Sequence, residues 1–198
     1  MPTGGHVPPR LIVAMTGASG SAIAVRLLEL LRDTPVETHL VISPWAARTL
    51  VHETPFTIKQ VQALASEVHP ATDQGAAISS GSFVTRGMIV VPCSMRTVAA
   101  IAHGFGDNLI HRAADVVLKE RRRLVLAVRE TPLSDIHLEN LLKLSRMGVV
   151  IAPPVPAFYA RPETVADIVT HTALRLLDQF EIHLGESSRW VGEMGVSE

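Results

Sequence analysis

The stretch LIVAMTGASGSAIAVRLLELL, residues 11–31, decides the fold. It opens with an uninterrupted apolar run of strand length, Leu11–Met15, and the glycine-containing turn Thr16–Ser21 follows directly. Beyond the turn, Ala22–Leu31 repeats apolar side chains at helical spacing. A buried strand, a tight turn and an amphipathic helix in this order predict the first half of a βαβ unit.

Apolar strands and helical patterns alternate along the rest of the chain. The predicted strands are Leu11–Met15, Thr38–Ile42, Gly87–Val91, Leu124–Val128 and Val149–Ala152, with Pro92 ending the third. The predicted helices are Ala22–Leu31, one from about Trp45, Thr57–Ala65, one from Ser94, Leu109–Lys119, His137–Met147 and Thr164–Gln179. Because apolar strands that alternate with helices form a parallel sheet covered on both faces, the chain is predicted to be an α/β protein. The expected architecture is a doubly wound parallel sheet, a Rossmann-like or flavodoxin-like three-layer sandwich.

The composition is that of one globular domain. The chain has 198 residues, 47% of them hydrophobic and 19% charged, which is enough to bury a substantial core and excludes a disordered chain. No internal repeat or domain linker interrupts the pattern. We therefore expect residues 1–9 to be a flexible lead-in and residues 10–198 to form a single domain.

Charge, hydropathy and cysteine content restrict the classes of partner and the cellular compartment that fit this sequence. The net charge of −1 gives no global field that would attract nucleic acid or an anionic membrane. No apolar run approaches the roughly 18 residues of a membrane span, and the N-terminus lacks the charged start and apolar centre of a signal peptide. The single cysteine, Cys93, fits a reducing compartment and is interpreted as a small buried side chain. We therefore expect a cytoplasmic protein without a nucleic-acid or membrane partner.

Three turns that follow predicted strands carry hydroxyl groups. In the first, Gly17 and Gly20 allow close backbone approach, and the following helix offers N–H groups to an anion. Ser43 follows the second strand, and Ser94 and Thr97 follow the third. Each serine could be an ordinary helix cap. Because the carboxyl ends of parallel strands meet at one edge of the sheet, however, the three turns together predict a site for a phosphorylated ligand.

Two charged clusters leave alternatives open. The fourth predicted strand ends in Arg129-Glu130, which is either part of the site or a structural ion pair. The basic run Lys119–Arg123 fits a helix end that faces the negative pole of the helix dipole.

Missing motifs exclude several common sites. The pattern G-x-x-x-x-G-K-[ST] of a P-loop nucleotide hydrolase is absent. A short-chain dehydrogenase needs a tyrosine four residues before a lysine, but Glu163 lies four residues after Tyr159, the only tyrosine. Glu53 follows His52, but Phe56 breaks the H-E-x-x-H pattern of a zinc site. The histidines lack metal-ligand spacing, and four are interpreted as surface or packed residues: His39, His103, His111 and His171. No metal site is therefore expected.

The chain resembles a known protein family through several longer motifs. These motifs occur in the family's order along nearly the whole chain, from Leu11 to Trp190. They are MTGASG at 15–20, SSGSF at 79–83, VPCSMRT at 91–97, NLIHRAADVVLKE at 108–120, VRETPLSDIHLENLLKLSRMG at 128–148 and PPVPAFY at 153–159. On these motifs the sequence closely resembles the UbiX flavin prenyltransferase family, within the branch associated with hydroxyarylic acid decarboxylases.

The resemblance implies a specific reaction. Such enzymes join a dimethylallyl group from dimethylallyl phosphate to N5 and C6 of reduced FMN. The product, prenylated FMN, is the cofactor of UbiD-type decarboxylases. The family needs no metal and commonly forms a homododecamer with its sites between subunits, so these properties are expected here.

The same resemblance implies roles for individual residues. The expected catalytic residues are Ser19, Glu53 and Glu130. The expected FMN contacts are Gly17, Ala18, Ser19, Ser43, Ser94, Met95, Arg96, Thr97 and Arg129. The expected contacts to dimethylallyl phosphate are Arg112, Lys119, Arg129, Tyr159 and Arg175.

Two other functions are considered. A non-catalytic FMN carrier or accessory subunit of a decarboxylase would not need the prenyl-phosphate residues, whose retention argues against it. A flavin-dependent cysteine decarboxylase would carry a PxMNxxMW-type segment, which is absent.

The chain departs from many relatives at Ile23-Ala24 and at Gln74, and aromatic residues make up only 4% of it. We therefore expect the flavin itself to provide most of the π surface facing the allyl group.

Overall fold

The structure, a computed structural model, describes residues 9–185. Most of the predicted lead-in and the end of the predicted domain, including Trp190, lie outside the described residues. The strands are β1 Arg10–Met15, β2 Glu37–Ile42, β3 Glu67–Pro70, β4 Gly87–Cys93, β5 Arg123–Val128 and β6 Val150–Ile151. The helices are α1 Ser21–Arg32, α2 Pro44–Glu53, α3 Ile58–Gln62, α4 Met95–Ala102, α5 Leu109–Lys119, α6 Asp135–Arg146 and α7 Val165–Asp178. Two short 3₁₀ turns lie at Ala77–Ser79 and Phe158–Ala160.

The six strands form one sheet in the order β3-β2-β1-β4-β5-β6. All five pairings are parallel. The order reverses direction between β1 and β4, which is the topological switch point at which doubly wound sheets bind ligands. The predicted fold class is confirmed.

Successive residues of each strand enter two different cores. In β1, Leu11, Val13 and Met15 pack with side chains of α1 and α7, whereas Ile12 and Ala14 pack with side chains of α4 and α5 on the opposite face. Side chains of α2 and α3 join the first core, and those of α6 join the second. This alternation explains why the strands are apolar throughout, since both faces of the sheet are buried.

The third predicted strand is longer than expected. Pro92 does not end it, because β4 continues through Pro92 to Cys93. Proline has no N–H to donate, and the register with β5 shifts between Val90 and Cys93. Cys93 is fully buried, as expected, and burial raises the pKa of its thiol.

The start of β4 depends on a glycine. Gly87 has φ +141°, and a Cβ at this position would lie 2.0 Å from the carbonyl oxygen of Arg123 on β5. The same Cβ would lie 2.9 Å from the Phe180 ring. Only glycine allows the two backbones to pair at this distance.

The edge strand β3 was not predicted, because its sequence, Glu67–Pro70, has no apolar run. Its position is fixed by Thr38 of β2. The Thr38 N–H donates to Ser66 Oγ at 3.0 Å, and the Ser66 N–H donates to Thr38 Oγ1 at 2.9 Å. Nearby, the buried His39 lies between Glu37 and His69, at 2.9 and 3.0 Å. Polar side-chain contacts therefore hold this strand in place.

Arg122 in the basic run has a structural role that the sequence did not indicate. It donates hydrogen bonds to the carbonyl oxygens of Gly81 and Phe83 at 2.6 and 2.8 Å. Its side chain is only 15% exposed. The SSGSF segment is thereby held against the end of α5, which accounts for at least one of the clustered arginines.

Candidate functional site

A cleft of about 450 Å³ lies at the carboxyl ends of β1, β2 and β4. This volume is within the usual range for small-molecule and cofactor sites. The lining residues are Thr16, Gly17, Ser43, Pro44, Trp45, Ala71, Thr72, Ser94, Arg96, Thr97, Asn108, Ile110 and His111. Five residues predicted from the sequence to bind the cofactor therefore meet in one cleft: Gly17, Ser43, Ser94, Arg96 and Thr97.

Thr16 joins the two strand ends at the switch point. Its hydroxyl donates to the Pro92 carbonyl oxygen at 2.9 Å and accepts from the Ser94 N–H at 2.8 Å. Its backbone N–H also donates to the Pro92 oxygen, at 3.1 Å. The buried hydroxyl is therefore used within the protein, and it holds the turn after β1 against the turn after β4.

Replacing Thr16 with valine should destabilise the protein. The Pro92 oxygen would keep one donor, but the Ser94 N–H would lose its acceptor. We expect the free energy of unfolding, measured by urea denaturation, to fall by about 1–3 kcal/mol. Thr16→Ser keeps both hydrogen bonds and should cost less than about 1 kcal/mol. Equal losses in the two variants would show that the methyl group, and not the hydroxyl, is what matters.

Ser43 and Ser94 are helix caps as well as cleft residues. Ser43 Oγ accepts from the Ala46 N–H at 3.1 Å at the start of α2. Ser94 Oγ accepts from the Thr97 N–H at 3.4 Å at the start of α4 and lies 3.2 Å from Thr97 Oγ1. The capping interpretation and the site interpretation are thus compatible, because a hydroxyl that accepts from a backbone N–H retains its own proton to donate.

An internal carboxylate binds the N-terminus of α1. Glu53, the last residue of α2, accepts hydrogen bonds from the N–H groups of Gly20 and Ser21 at 3.0 and 2.9 Å. Gly20 has φ +113°, a backbone conformation that glycine adopts at little cost. The amides expected to be open to an external anion are therefore engaged by Glu53.

The hydrogen bonds to Glu53 determine its ionisation. Desolvation alone would raise the pKa of the carboxyl group, but hydrogen bonds from the Ser19 side chain and from the N–H groups of Ser21 and Gly20 outweigh it and lower that pKa. Glu53 is therefore ionised at neutral pH, next to Ser19. Two of the three residues predicted to be catalytic lie in contact.

Arg96 and His111 line the cleft and share Asp107. Arg96 donates to one carboxylate oxygen at 3.1 Å, and His111 Nδ1 lies 2.6 Å from the other. Burial lowers the pKa of His111 more than the neighbouring Asp107 carboxylate raises it. Arg96 is mostly exposed, so it can contact a ligand while paired.

Arg129 and Glu130 leave β5 at the same edge of the sheet. Both are exposed, and within residues 9–185 neither takes part in an ion pair. Glu130 Oε1 accepts from the Thr131 N–H at 3.1 Å, and the Arg129 N–H donates to the Cys93 carbonyl oxygen at 3.1 Å. The interpretation of this pair as a structural ion pair is therefore not supported.

The remaining residues expected to bind the prenyl phosphate lie in two other cavities. Arg112 and Lys119 line a cavity of about 570 Å³ beside α4, α5 and α6. Tyr159 and Arg175 line one of about 260 Å³ beside α7. All three cations have acidic neighbours: Arg112 pairs with Asp115, Lys119 with Glu120 and Arg175 with Asp178. One chain alone does not bring these groups together.

Four predicted cofactor contacts lie outside the cleft lining: Ala18, Ser19, Met95 and Arg129. Met95 packs against the second core. Ala18 lies in the turn after β1, where its N–H donates to the Thr16 carbonyl oxygen at 2.8 Å.

Among the cleft residues that sequence reasoning did not assign to the site are Trp45, Asn108 and His111. Asn108 caps α5 by accepting from the His111 N–H at 3.0 Å, so the capping pattern was visible but not its place beside the cleft. The signal for Trp45 was an aromatic residue in the first turn of a helix that begins at the ligand edge.

In the described part of the chain, no cluster of three His, Cys, Asp or Glu side chains could hold a metal ion. None of the described helices is long and apolar enough to cross a membrane.

The doubly wound fold and the cleft at its switch point indicate the class of protein to which this chain belongs. The Flavoprotein family model matches residues 4–177, so the chain is a flavoprotein of the doubly wound type. A probable UbiX-like flavin prenyltransferase from Streptomyces sp. (strain D7) is 59% identical over 184 residues, which cover 92% of each chain. The chain belongs to the UbiX-like flavin prenyltransferase family.

Two solved structures agree with this assignment. A dodecameric FMN-dependent UbiX-like decarboxylase from Escherichia coli O157:H7 has a TM-score of 0.91 and 59% identity, covering 92% of this chain and 100% of that chain. AnUbiX (PadA1), solved in complex with FMN and dimethylallyl pyrophosphate, has a TM-score of 0.93 and 52% identity, covering 95% and 100%.

Proposed function

We propose that this protein joins a dimethylallyl group from dimethylallyl phosphate to reduced FMN, at N5 and C6, to give prenylated FMN. The observation that carries the proposal is the cleft at the β1–β4 switch point, which Gly17 of the turn after β1 lines. In the same turn, the Ser19 side chain hydrogen-bonds to the ionised Glu53. Family membership supports the reaction, and the relative solved with FMN and dimethylallyl pyrophosphate supports both substrates.

The residues present fit FMN. The cleft offers the hydroxyl groups of Ser43, Ser94 and Thr97 and the guanidinium of Arg96, and its volume of about 450 Å³ suits a ligand of this size. Hydroxyl and guanidinium donors match the carbonyl, ring-nitrogen and phosphate acceptors of a flavin nucleotide. When bound, reduced FMN supplies the nucleophilic N5 and C6 positions.

The donor phosphate needs several cations. The reaction breaks the bond between the allylic carbon and the phosphate oxygen, and the charge left on the departing phosphate must be stabilised. Guanidinium and ammonium groups do this through charge-assisted hydrogen bonds. The cations proposed for this task are Arg112, Lys119, Arg129 and Arg175, with the Tyr159 hydroxyl as a further donor.

These groups require more than one copy of the chain. Arg112 and Lys119 lie in a different cavity from Tyr159 and Arg175. In a homododecamer, as in the Escherichia coli relative, two cavities of different copies could face each other. We therefore propose a dodecamer in which each donor site is completed by a second copy.

Glu130 is the proposed base for ring closure. A bond to C6 displaces a proton from the flavin ring, and this proton must pass to a carboxylate or to the departing phosphate. Glu130 has no cation partner within residues 9–185, so its carboxylate is available for this step. Arg129, beside it at the end of β5, is proposed to contact both FMN and the donor.

The product is proposed to serve a UbiD-type decarboxylase in the cytoplasm. Prenylated FMN is the cofactor of such decarboxylases, so the enzyme that synthesises it is proposed to supply one of them. The single, buried cysteine supports a reducing compartment.

Mass spectrometry of the extracted flavin tests the proposal. The purified protein would be incubated anaerobically with reduced FMN and dimethylallyl phosphate, and in parallel with the diphosphate. We expect the flavin to gain one five-carbon unit. Unmodified FMN with both donors, despite tight binding, would contradict prenyl transfer and favour the FMN-carrier function.

A further inference from the structure

Trp45 is an exposed aromatic side chain at the mouth of the cleft. It is 62% exposed and lies two residues after Ser43, in the first turn of α2. Burying a large apolar side chain of this exposure against a ligand would remove its surface from water, which is favourable. Trp45 also lines the cleft together with Gly17, Ser43 and Ser94.

The surrounding residues hold Trp45 in this place. A Cβ at position 17 would lie 2.6 Å from the Trp45 Cβ, so Gly17 leaves the room in which the tryptophan approaches the turn after β1. The Arg48 guanidinium lies over the indole, 4.9 Å from the ring centroid. This distance is that of a cation–π contact, which limits the rotation of the ring and occupies one of its faces.

We propose that the Trp45 indole packs against the flavin ring of FMN and supplies part of the binding energy for it. A flat, polarizable ring in a cleft lined with hydroxyl groups is the surface on which another aromatic ring stacks. The chain has few aromatic residues, and none of the other described tryptophan, tyrosine or phenylalanine side chains lines this cleft. Among the described residues, Trp45 is therefore the aromatic side chain placed to contact the flavin ring.

The inference rests on the proposed binding of FMN but not on the proposed prenyl transfer. Binding can be measured without a prenyl donor, by titrating FMN into the full-length protein and following the quenching of flavin fluorescence. Trp45→Ala should raise the Kd for FMN about tenfold or more, which is the size expected for losing one ring-on-ring contact. Trp45→Phe keeps an aromatic ring and should stay within about threefold of the wild type.

Two controls separate this role from a structural one. Ile136→Ala removes a similarly exposed apolar side chain of α6 that does not line the cleft, and it should leave the Kd unchanged. Sedimentation of each variant reports the oligomeric state. An unchanged Kd in Trp45→Ala would overturn the inference, and so would a weaker Kd accompanied by dissociation of the oligomer. Failure of the wild type to bind FMN would instead contradict the proposed function, and this inference with it.

Discussion

Glu53→Gln should lower the rate of prenyl transfer by about a hundredfold or more while leaving FMN binding within about threefold of the wild type. The carboxylate accepts from the N–H groups of Gly20 and Ser21 and is bonded by the Ser19 side chain. Glutamine has the same shape but no charge, and its carbonyl oxygen can still accept from both N–H groups, because both donate to one oxygen of Glu53, Oε2. The main loss is the negative charge next to Ser19. The substitution therefore disturbs the side of the cleft where Ser19 is proposed to meet the donor.

The direction of the pKa shift specifies which role Glu53 can have. Because its pKa is lowered, Glu53 is ionised above the ordinary pKa of a glutamate and gains a proton only below the lowered value. It can act as a base or as a fixed negative charge at neutral pH, but not as a general acid. The rate should consequently show no loss attributable to Glu53 between pH 5 and 8.

Single-turnover kinetics and flavin titration together test this prediction. Glu139→Gln, on the exposed side of α6, is the matched control and should have wild-type values. A wild-type rate in Glu53→Gln would remove Glu53 from the proposed catalytic residues. Parallel loss of rate and of FMN affinity would show that Glu53 shapes the cleft without taking part in the transfer step.

Gly87→Ala should have the largest effect on stability. The new Cβ would lie 2.0 Å from the Arg123 carbonyl oxygen, and φ +141° is unfavourable for any L side chain. The contact with Arg123 is with its backbone, so no rotamer change can relieve it. We expect a loss of more than about 4 kcal/mol, which is enough to leave much of the chain unfolded.

Thermal denaturation of three glycine variants checks this account. A Cβ at Gly106 would meet nothing within 4 Å, and no positive φ is required there, so Gly106→Ala should be nearly neutral. Gly104 has equal space but φ +66°, so Gly104→Ala should cost about 1–2 kcal/mol from the backbone alone. A folded Gly87→Ala variant with a Tm near that of the wild type would contradict the close approach of β4 and β5.

The sequence was sufficient to predict the fold because both faces of the sheet are buried. Strands such as Leu11–Met15 are apolar at every position, and this pattern does not depend on distant contacts. The strand β3 was missed because it lies at the edge, where Glu67 is exposed and His69 contacts His39. Pro92 was taken as a stop because its lack of an N–H is a local property, whereas the continuation of β4 depends on the pairing of Cys93 with Val128 of β5.

The candidate site was predictable in its parts but not in its arrangement. Ser43 and Ser94 were found because they directly follow strands, and parallel strands place such residues at one edge. The engagement of α1 by Glu53 was not foreseen, because residues 33 positions apart meet there only through the packing of α2. The separation of Lys119 from Arg175 also depends on tertiary structure, since each residue lies on a different helix.

The two edge strands of the sheet affect how copies of this protein can associate. Exposed strand edges recruit other strands and lead to fibrils or amorphous aggregates, and natural proteins guard against this with short, charged or proline-containing edge strands. Here one edge, β3, has four residues with a glutamate at its start and a proline at its end, and the other edge, β6, has two residues. Copies of the chain are thus discouraged from joining through their backbones, and association is left to side chains, which permit closed assemblies of defined size.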